Sequence, residues 1–201
     1  EAKLFVKERA DEARQYANSL FKCEKYKEAQ QAVAVSSCTS ALHLSLLAAR
    51  LKPGDEVILP ALTFCATANA VIHAGATPVL ADVDPETMNI SLRTIREVFT
   101  EQTRAIITVH FAGRPCEMNP IMEFANENGL VVIEDCAHAI ESTYWGKPVG
   151  TLGEFGCFSF YVTKNVVTGE GGALITNNVK YANKINFFIL ICCFEFSIMT
   201  K

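Results

Sequence analysis

Between residues 31 and 135 the chain alternates short, continuous apolar runs with longer segments of helical period. The runs are "QAVAVSS", "VILP", "TPVLADV", "RAIITVHF" and "LVVIED". They are rich in β-branched residues and lack the polar alternation of a strand with one wet face, so both their faces must be covered. Between them stand "TSALHLSLLAARL", "TFCATANAVIHAG", "SLRTIREVFT" and "NPIMEFANENG". These carry helix punctuation: Ser37–Thr39 before the first, Ser91 opening the third, a proline early in the fourth, and Gly75 and Gly129 at two ends. The turns "PGDE" and "DPET" separate them further. Strand–helix–strand units repeated in this way predict an α/β fold, three layers deep, with a doubly wound and mostly parallel sheet. At 201 residues, half of them apolar, the chain is long enough for one sizeable core. Residues 1–27 read as a partial N-terminal helix, with Leu4, Ala10, Ala13, Ala17 and Leu20 near one face.

The net charge is −4 and no long basic run occurs, which argues against nucleic acid or an anionic membrane as partner. The eight cysteines form no CxxC pair and no Cys/His metal spacing. Most sit in apolar runs such as "EDCAHA" and "GCFSF", so free buried thiols in a reducing cytosol, and no metal site, are expected. No basic-then-apolar leader opens the chain, which begins at Glu1 and reads as a fragment or a processed form. The stretch "NFFILICCFEFSIMTK" is nearly all apolar yet shorter than the ~20 residues a bilayer span needs.

In an open α/β sheet, ligands bind outside the carboxyl ends of the strands. Here those ends read "SSCTS", "PALTF", "VHFAG", "EDCAH" and "VTK". "SSCTS" runs into a helix, whose free N–H groups favour an anion; simple capping by Ser37 or Thr39 explains the same residues. It has neither Walker nor GxGxxG spacing. "VVIEDCAH" ends a buried strand with two acids, one of which is expected to face a cation or protonated nitrogen, unless it caps the next segment. His138 follows closely, and His110 is a weaker candidate. In "FSFYVTKNVVTGEGG", Phe158, Phe160 and Val162 fall on one face of a period-2 strand that ends at Lys164. On local pattern alone that lysine reads as a solvated surface residue. An anion cradle, a strand-end acid, an aromatic and a lysine are together what pyridoxal phosphate requires.

Residues 28–188 resemble the large domain of the DegT/DnrJ/StrS group of pyridoxal-phosphate-dependent nucleotide-sugar aminotransferases, of fold type I. The resemblance rests on the long ordered stretches "AVAVSSCTSALHLSLLAARLKPGDEVILPALTFCATANAVIHAGATPVLADVDPETMNI", "VHFAGRPCEM" and "VVIEDCAHAIESTYWGKPVGTLGEFGCFSFYVTKNVVTGEGGALITNN". It implies that Lys164 is the Schiff-base lysine and proton carrier, and that Asp135 bonds the pyridine nitrogen. His138 would lie close to the ring, Phe64 would stack on it, and Thr39, Ser40 and Ser159 would hold the phosphate. The implied cofactor is pyridoxal 5'-phosphate. The implied reaction is amino transfer, with glutamate as the expected donor, to a nucleotide-linked keto-sugar in a cytoplasmic homodimer.

Three departures from the family pattern stand out. Cys38 replaces a glycine, and a side chain at a turn of positive φ would crowd the phosphate. The chain reads as beginning without the family's N-terminal segment. The resemblance also stops near "KINFF", before the smaller C-terminal domain, so that residues 189–201 read as an aberrant apolar tail. A non-catalytic fragment is therefore one competing reading. A sugar dehydratase is another, although such relatives carry histidine where Lys164 stands.

Overall fold

The computed structural model describes residues 31–198, so the helix expected within residues 1–27 lies outside the described residues. Strand β1 (Gln31–Val35) leads into α1 (Cys38–Ala49), β2 (Glu56–Pro60), α2 (Cys65–His73), β3 (Thr77–Ala81), α3 (Leu92–Val98), β4 (Thr103–Val109), α4 (Met118–Asn128) and β5 (Val131–Asp135). A hairpin of β6 (Thr143–Tyr144) and β7 (Lys147–Pro148) follows, then β8 (Phe155–Ser159), β9 (Gly172–Thr176) and α5 (Val179–Ile198). The main sheet has seven strands in the order β1-β9-β8-β5-β4-β2-β3. β2, β3, β4, β5 and β8 pair in parallel, whereas β9 runs antiparallel to both its neighbours. This is the predicted three-layer, mostly parallel α/β fold.

The apolar runs work as their composition requires. Along β2, Val57 and Leu59 pack on one face with Leu42 and Leu46 of α1, Val71 of α2 and Ile185 of α5. Ile58, between them, points to the other face and meets Ile95 of α3 with Ile121 and Phe124 of α4. β4 and β5 divide in the same way, Ile107 and Ile133 to the first cluster, Ile106 and Val132 to the second. Each such side chain taken from water contributes roughly 1.5–3 kcal/mol.

Local chemistry sets the helix ends. The Ser37 side chain accepts the Ser40 N–H at the start of α1, and Ser91 and Thr94 form a capping box at the start of α3. Gly129 closes α4 in the left-handed region, and Gly75 takes φ 83° just beyond Ala74, the cap of α2.

The structure corrects the sequence reading at two places. The period-2 strand expected through Val162 is β8, which starts earlier and ends at Ser159. Phe158 and Phe160 are buried, but Val162 is 59% exposed. The chain leaves the sheet at Phe160, whose N–H donates to the Gly171 carbonyl while its own carbonyl accepts from Thr168. β9 and the β6–β7 hairpin were not foreseen. The apolar stretch from Asn186 belongs to α5 as far as Ile198. No helix among the described residues is long and apolar enough to cross a membrane.

Candidate active site

β1, β2, β4, β5 and β8 all end at one rim of the sheet, and the antiparallel β9 begins there. The segments beyond these ends wall a cavity of about 700 Å³. Ser37, Cys38 and Thr39 come from the start of α1; Leu62, Thr63 and Phe64 follow β2, with Thr67 behind them on α2. Phe111 follows β4, Ala137 and His138 follow β5, Ser159, Tyr161 and Lys164 come from the end of β8 and beyond, and Glu170 and Gly171 precede β9. Gly172 lets this last segment sit against α1: a Cβ on it would lie 2.5 Å from the Ser37 carbonyl carbon.

Six of the seven predicted residues, Thr39, Phe64, Asp135, His138, Ser159 and Lys164, line this cavity. Ser40 is not one of its lining residues. It lies one turn into the start of α1, its Oγ 2.9 Å from Ser36 Oγ and 3.1 Å from Ser37 Oγ. The N–H groups of Cys38 and Thr39, at the first two positions of α1, have no helical acceptor and stand at the positive end of the helix dipole. Phe64 is 76% exposed on the cavity wall. Lys164 is half-buried, its backbone N–H held by the Tyr161 carbonyl in a tight turn.

The two acids of "EDCAH" have different fates, because successive side chains on a strand point to opposite faces. Glu134 is wholly buried away from the cavity. One oxygen accepts the N–H groups of Leu152 and Gly153; the other accepts Gly150 N–H and His110 Nε2–H. His110 Nδ1 accepts Cys116 N–H, so the ring is the Nε2–H tautomer. His110 therefore serves this buried lock and not the cavity. Cys136 completes a metal-like grouping with these two, all ligand atoms within 4.8 Å of one another. Both Glu134 oxygens and both His110 nitrogens are already committed, and burial holds the Cys136 thiol well above its ordinary range.

Asp135 faces the cavity floor. Its Oδ1 accepts Ala137 N–H at 3.1 Å and the Cys38 thiol at 3.7 Å, and its Oδ2 accepts the Thr67 hydroxyl at 3.1 Å. Burial raises its carboxyl, and the hydrogen bonds from Ala137 and Thr67 and the nearby His110 and His138 pull it back. Among the described residues it has no ion-pair partner. His138 is lowered by partial burial first and then by the Lys164 charge.

Cys38 lines the cavity but does not stand at the turn of positive φ that its replacement of a glycine suggested. It is the first residue of α1, is not among the residues at positive φ, and turns its thiol inward onto Asp135. Burial, then the Asp135 charge, keeps that thiol protonated. Thr67, which with Cys38 holds Asp135 by its side chain, escapes a reading of strand ends. The signal for Thr67 was its i,i+4 spacing from Thr63.

A cofactor with a phosphate, a protonatable ring nitrogen and a carbonyl fits these residues. The cavity offers an anion-binding helix start, a buried carboxylate with no cation, an exposed aromatic face and an amine.

Comparison with known proteins follows the same lines. Residues 11–195 match the DegT/DnrJ/EryC1/StrS aminotransferase family. A GDP-perosamine synthase from Caulobacter vibrioides is 47% identical over 156 residues, 78% of this chain and 42% of that protein. The crystal structure of an aminotransferase from Psychrobacter cryohalolentis superposes with a TM-score of 0.82 at 40% identity, covering 87% of this chain and 44% of that one. NtdA of Bacillus subtilis, determined with bound cofactor PMP, superposes with a TM-score of 0.79 at 36% identity, covering 86% and 38%. The chain thus spans about two fifths of the length of the curated relatives it matches.

Proposed function

The chain belongs to the DegT/DnrJ/EryC1/StrS aminotransferase family, and from that premise we propose that it binds pyridoxal 5'-phosphate in the rim cavity and serves amino transfer to a nucleotide-linked keto-sugar. The observation that carries this reading is the meeting of Asp135, Lys164 and the start of α1 on one cavity, from three distant parts of the chain. The kinship with a GDP-perosamine synthase supports the nucleotide-sugar class, and NtdA supports the cofactor.

When bound, the cofactor supplies an electron sink that makes the proton on the substrate α-carbon labile. The chain's own residues do the rest. Asp135 holds the ring nitrogen protonated, and burial strengthens that attraction by excluding water. The Thr39 hydroxyl, Ser159 and the free N–H groups of α1 take the phosphate, with Ser40 behind them. Phe64 covers a ring face, and His138, neutral near pH 7, borders the ring without adding charge. Lys164 would anchor the cofactor through its carbonyl, and its amine stands in the cavity where it would serve as the base and acid that moves the α-proton. Its presence favours amino transfer over dehydration.

Glutamate is the donor we propose. A homodimer is the assembly, supported by the apolar surface that Leu62, Phe64 and Tyr161 expose on the cavity wall. The cytosol is the compartment, supported by the free thiols of Cys38, Cys65, Cys116, Cys136 and Cys157.

The test is reductive trapping. The chain incubated with pyridoxal phosphate and treated with borohydride should carry the cofactor on Lys164 by peptide mapping, and Lys164→Ala should not. Glutamate should then release 2-oxoglutarate from the unreduced complex, and a keto-sugar nucleotide should be aminated. Labelling spread over surface lysines, unchanged by Lys164→Ala, would refute the assignment.

A further inference from the structure

Asp135 is held by more than its own strand. Thr67 is 1% exposed on α2, its Oγ1 3.1 Å from Asp135 Oδ2 and 2.8 Å from Thr63 Oγ1. A hydroxyl has one proton to give. Thr67 gives it to Asp135, so Thr63 must donate in the contact between the two threonines. The order is therefore Thr63 to Thr67 to Asp135, with each donor polarised by the next acceptor. Oδ1 is held separately by Ala137 N–H and the Cys38 thiol.

We propose that Thr67, backed by Thr63, is the positioning residue of this site: it fixes Oδ2 and keeps Asp135 an anion in a place where burial favours the neutral acid. The functional consequence rests on the cofactor reading above. A neutral Asp135 would bring its own proton to the ring nitrogen, and the two groups would share one proton instead of forming an ion pair. A hydroxyl donor at Oδ2 stabilises the charged form more than the neutral one. One further feature suits the role: Thr67 sits on a helix packed into the core.

The charged and titratable groups around Asp135 come from several elements. Cys38 faces it from α1, Cys157 from β8, Cys136 and His138 from the segment after β5, and His110 from the segment after β4. Glu134 precedes it on β5, committed to the opposite face, and Lys164 shares the cavity. None of the three thiols carries charge near neutral pH, because burial raises each of them. Thr63 and Thr67 can thus be altered without altering any charge.

The experiment titrates the Asp135 carboxyl carbon by NMR in the chain without added ligand, using Asp135→Asn to assign the resonance. Thr67→Val keeps the shape and removes the donor. Its carboxyl should titrate about one pH unit or more above that of the unaltered chain, a tenfold change in the proton equilibrium. Thr67→Ser should restore the original value. Thr63→Val, at a half-buried and more tolerant position, should move it the same way by less, and carries the test if Thr67→Val does not fold. The pH profile of borohydride labelling at Lys164 should shift with the carboxyl. Coincident titrations of all the variants would overturn the positioning role while leaving labelling at Lys164 intact. A shifted titration with no labelling in the unaltered chain would overturn the cofactor reading instead.

Discussion

Glu134 and Asp135 are adjacent on one strand, carry the same charge, and are buried for opposite purposes. Glu134 has every lone pair answered by an N–H, three of them from the backbone of residues 150–153. Glu134→Gln would turn an N–H₂ toward one of those donors. Losing charge-assisted bonds and opposing a donor with a donor should cost about 3 kcal/mol, read as a fall in the urea midpoint. Asp135 should behave in reverse. Burial raises its carboxyl, so between the ordinary aspartate value and the raised one the folded chain holds a proton that the unfolded chain has lost. Stability is then lost as pH rises through that window. Asp135→Asn removes the charge but turns an N–H₂ toward a donor, so its stability relative to the unaltered chain should be higher at neutral pH than in acid. Denaturation at pH 4 and pH 7 decides this, and a difference equal at both would sink it. The same substitution should weaken retention of pyridoxal phosphate, since the charge that is costly to the fold is the one the ring nitrogen needs.

The hairpin of β6 and β7 turns on Trp145 and Gly146, both at positive φ (49° and 78°). Two such residues make the turn that matches strand twist, where asparagine followed by glycine is preferred. Trp145 occupies the asparagine place with its ring 84% exposed, and its packing is an edge contact on Tyr144. Trp145→Asn should therefore stabilise the chain by about 0.5–1 kcal/mol, seen in calorimetry as a rise in Tm of roughly 1–4 °C. A fall in Tm would mean that the Tyr144 contact outweighs the backbone strain. These short strands also show where a sequence stops being legible. β1 to β5 announce themselves because a strand covered on both faces must be apolar throughout. β9 does not, and β8 shows only its later half, because Gly156 and Gly172 are there for close approach and read as turn formers. A Cβ on Gly156 would overlap the Gly150 carbonyl, and one on Gly172 would enter the start of α1. In the cavity, Lys164 and Asp135 are legible as strand-end residues, and the family resemblance supplies their roles. Thr67 and Cys38 act on Asp135 from helices, through contacts that only the tertiary fold creates.

No two neighbouring segments of the chain make the cavity by themselves. Its walls draw on six stretches between Ser37 and Gly171, brought together only when β9 has inserted between β1 and β8. A ligand of this cavity must therefore bind the folded chain and not the unfolded one, so binding and folding are linked by mass action. Pyridoxal phosphate at a hundred times its dissociation constant should stabilise the fold by about 2.7 kcal/mol. For a chain of this length that is a rise in Tm of roughly 5–10 °C. The size of the rise should depend on which wall is addressed. Pyridoxal without its phosphate should lose the share contributed by the start of α1. Lys164→Ala should keep a reduced rise, because Asp135, Phe64 and the helix start still hold the cofactor without the covalent bond. Inorganic phosphate at equal concentration should give a small rise from the helix start alone. If phosphate matched the cofactor, the cavity would be an anion site and the carboxylate opposite would have no part in binding. If pyridoxal phosphate gave no rise while the chain unfolded cooperatively, the six stretches would form a sheet rim without a working site. A graded order, cofactor above Lys164→Ala with cofactor, and both above phosphate, is what a cavity assembled by the whole fold requires.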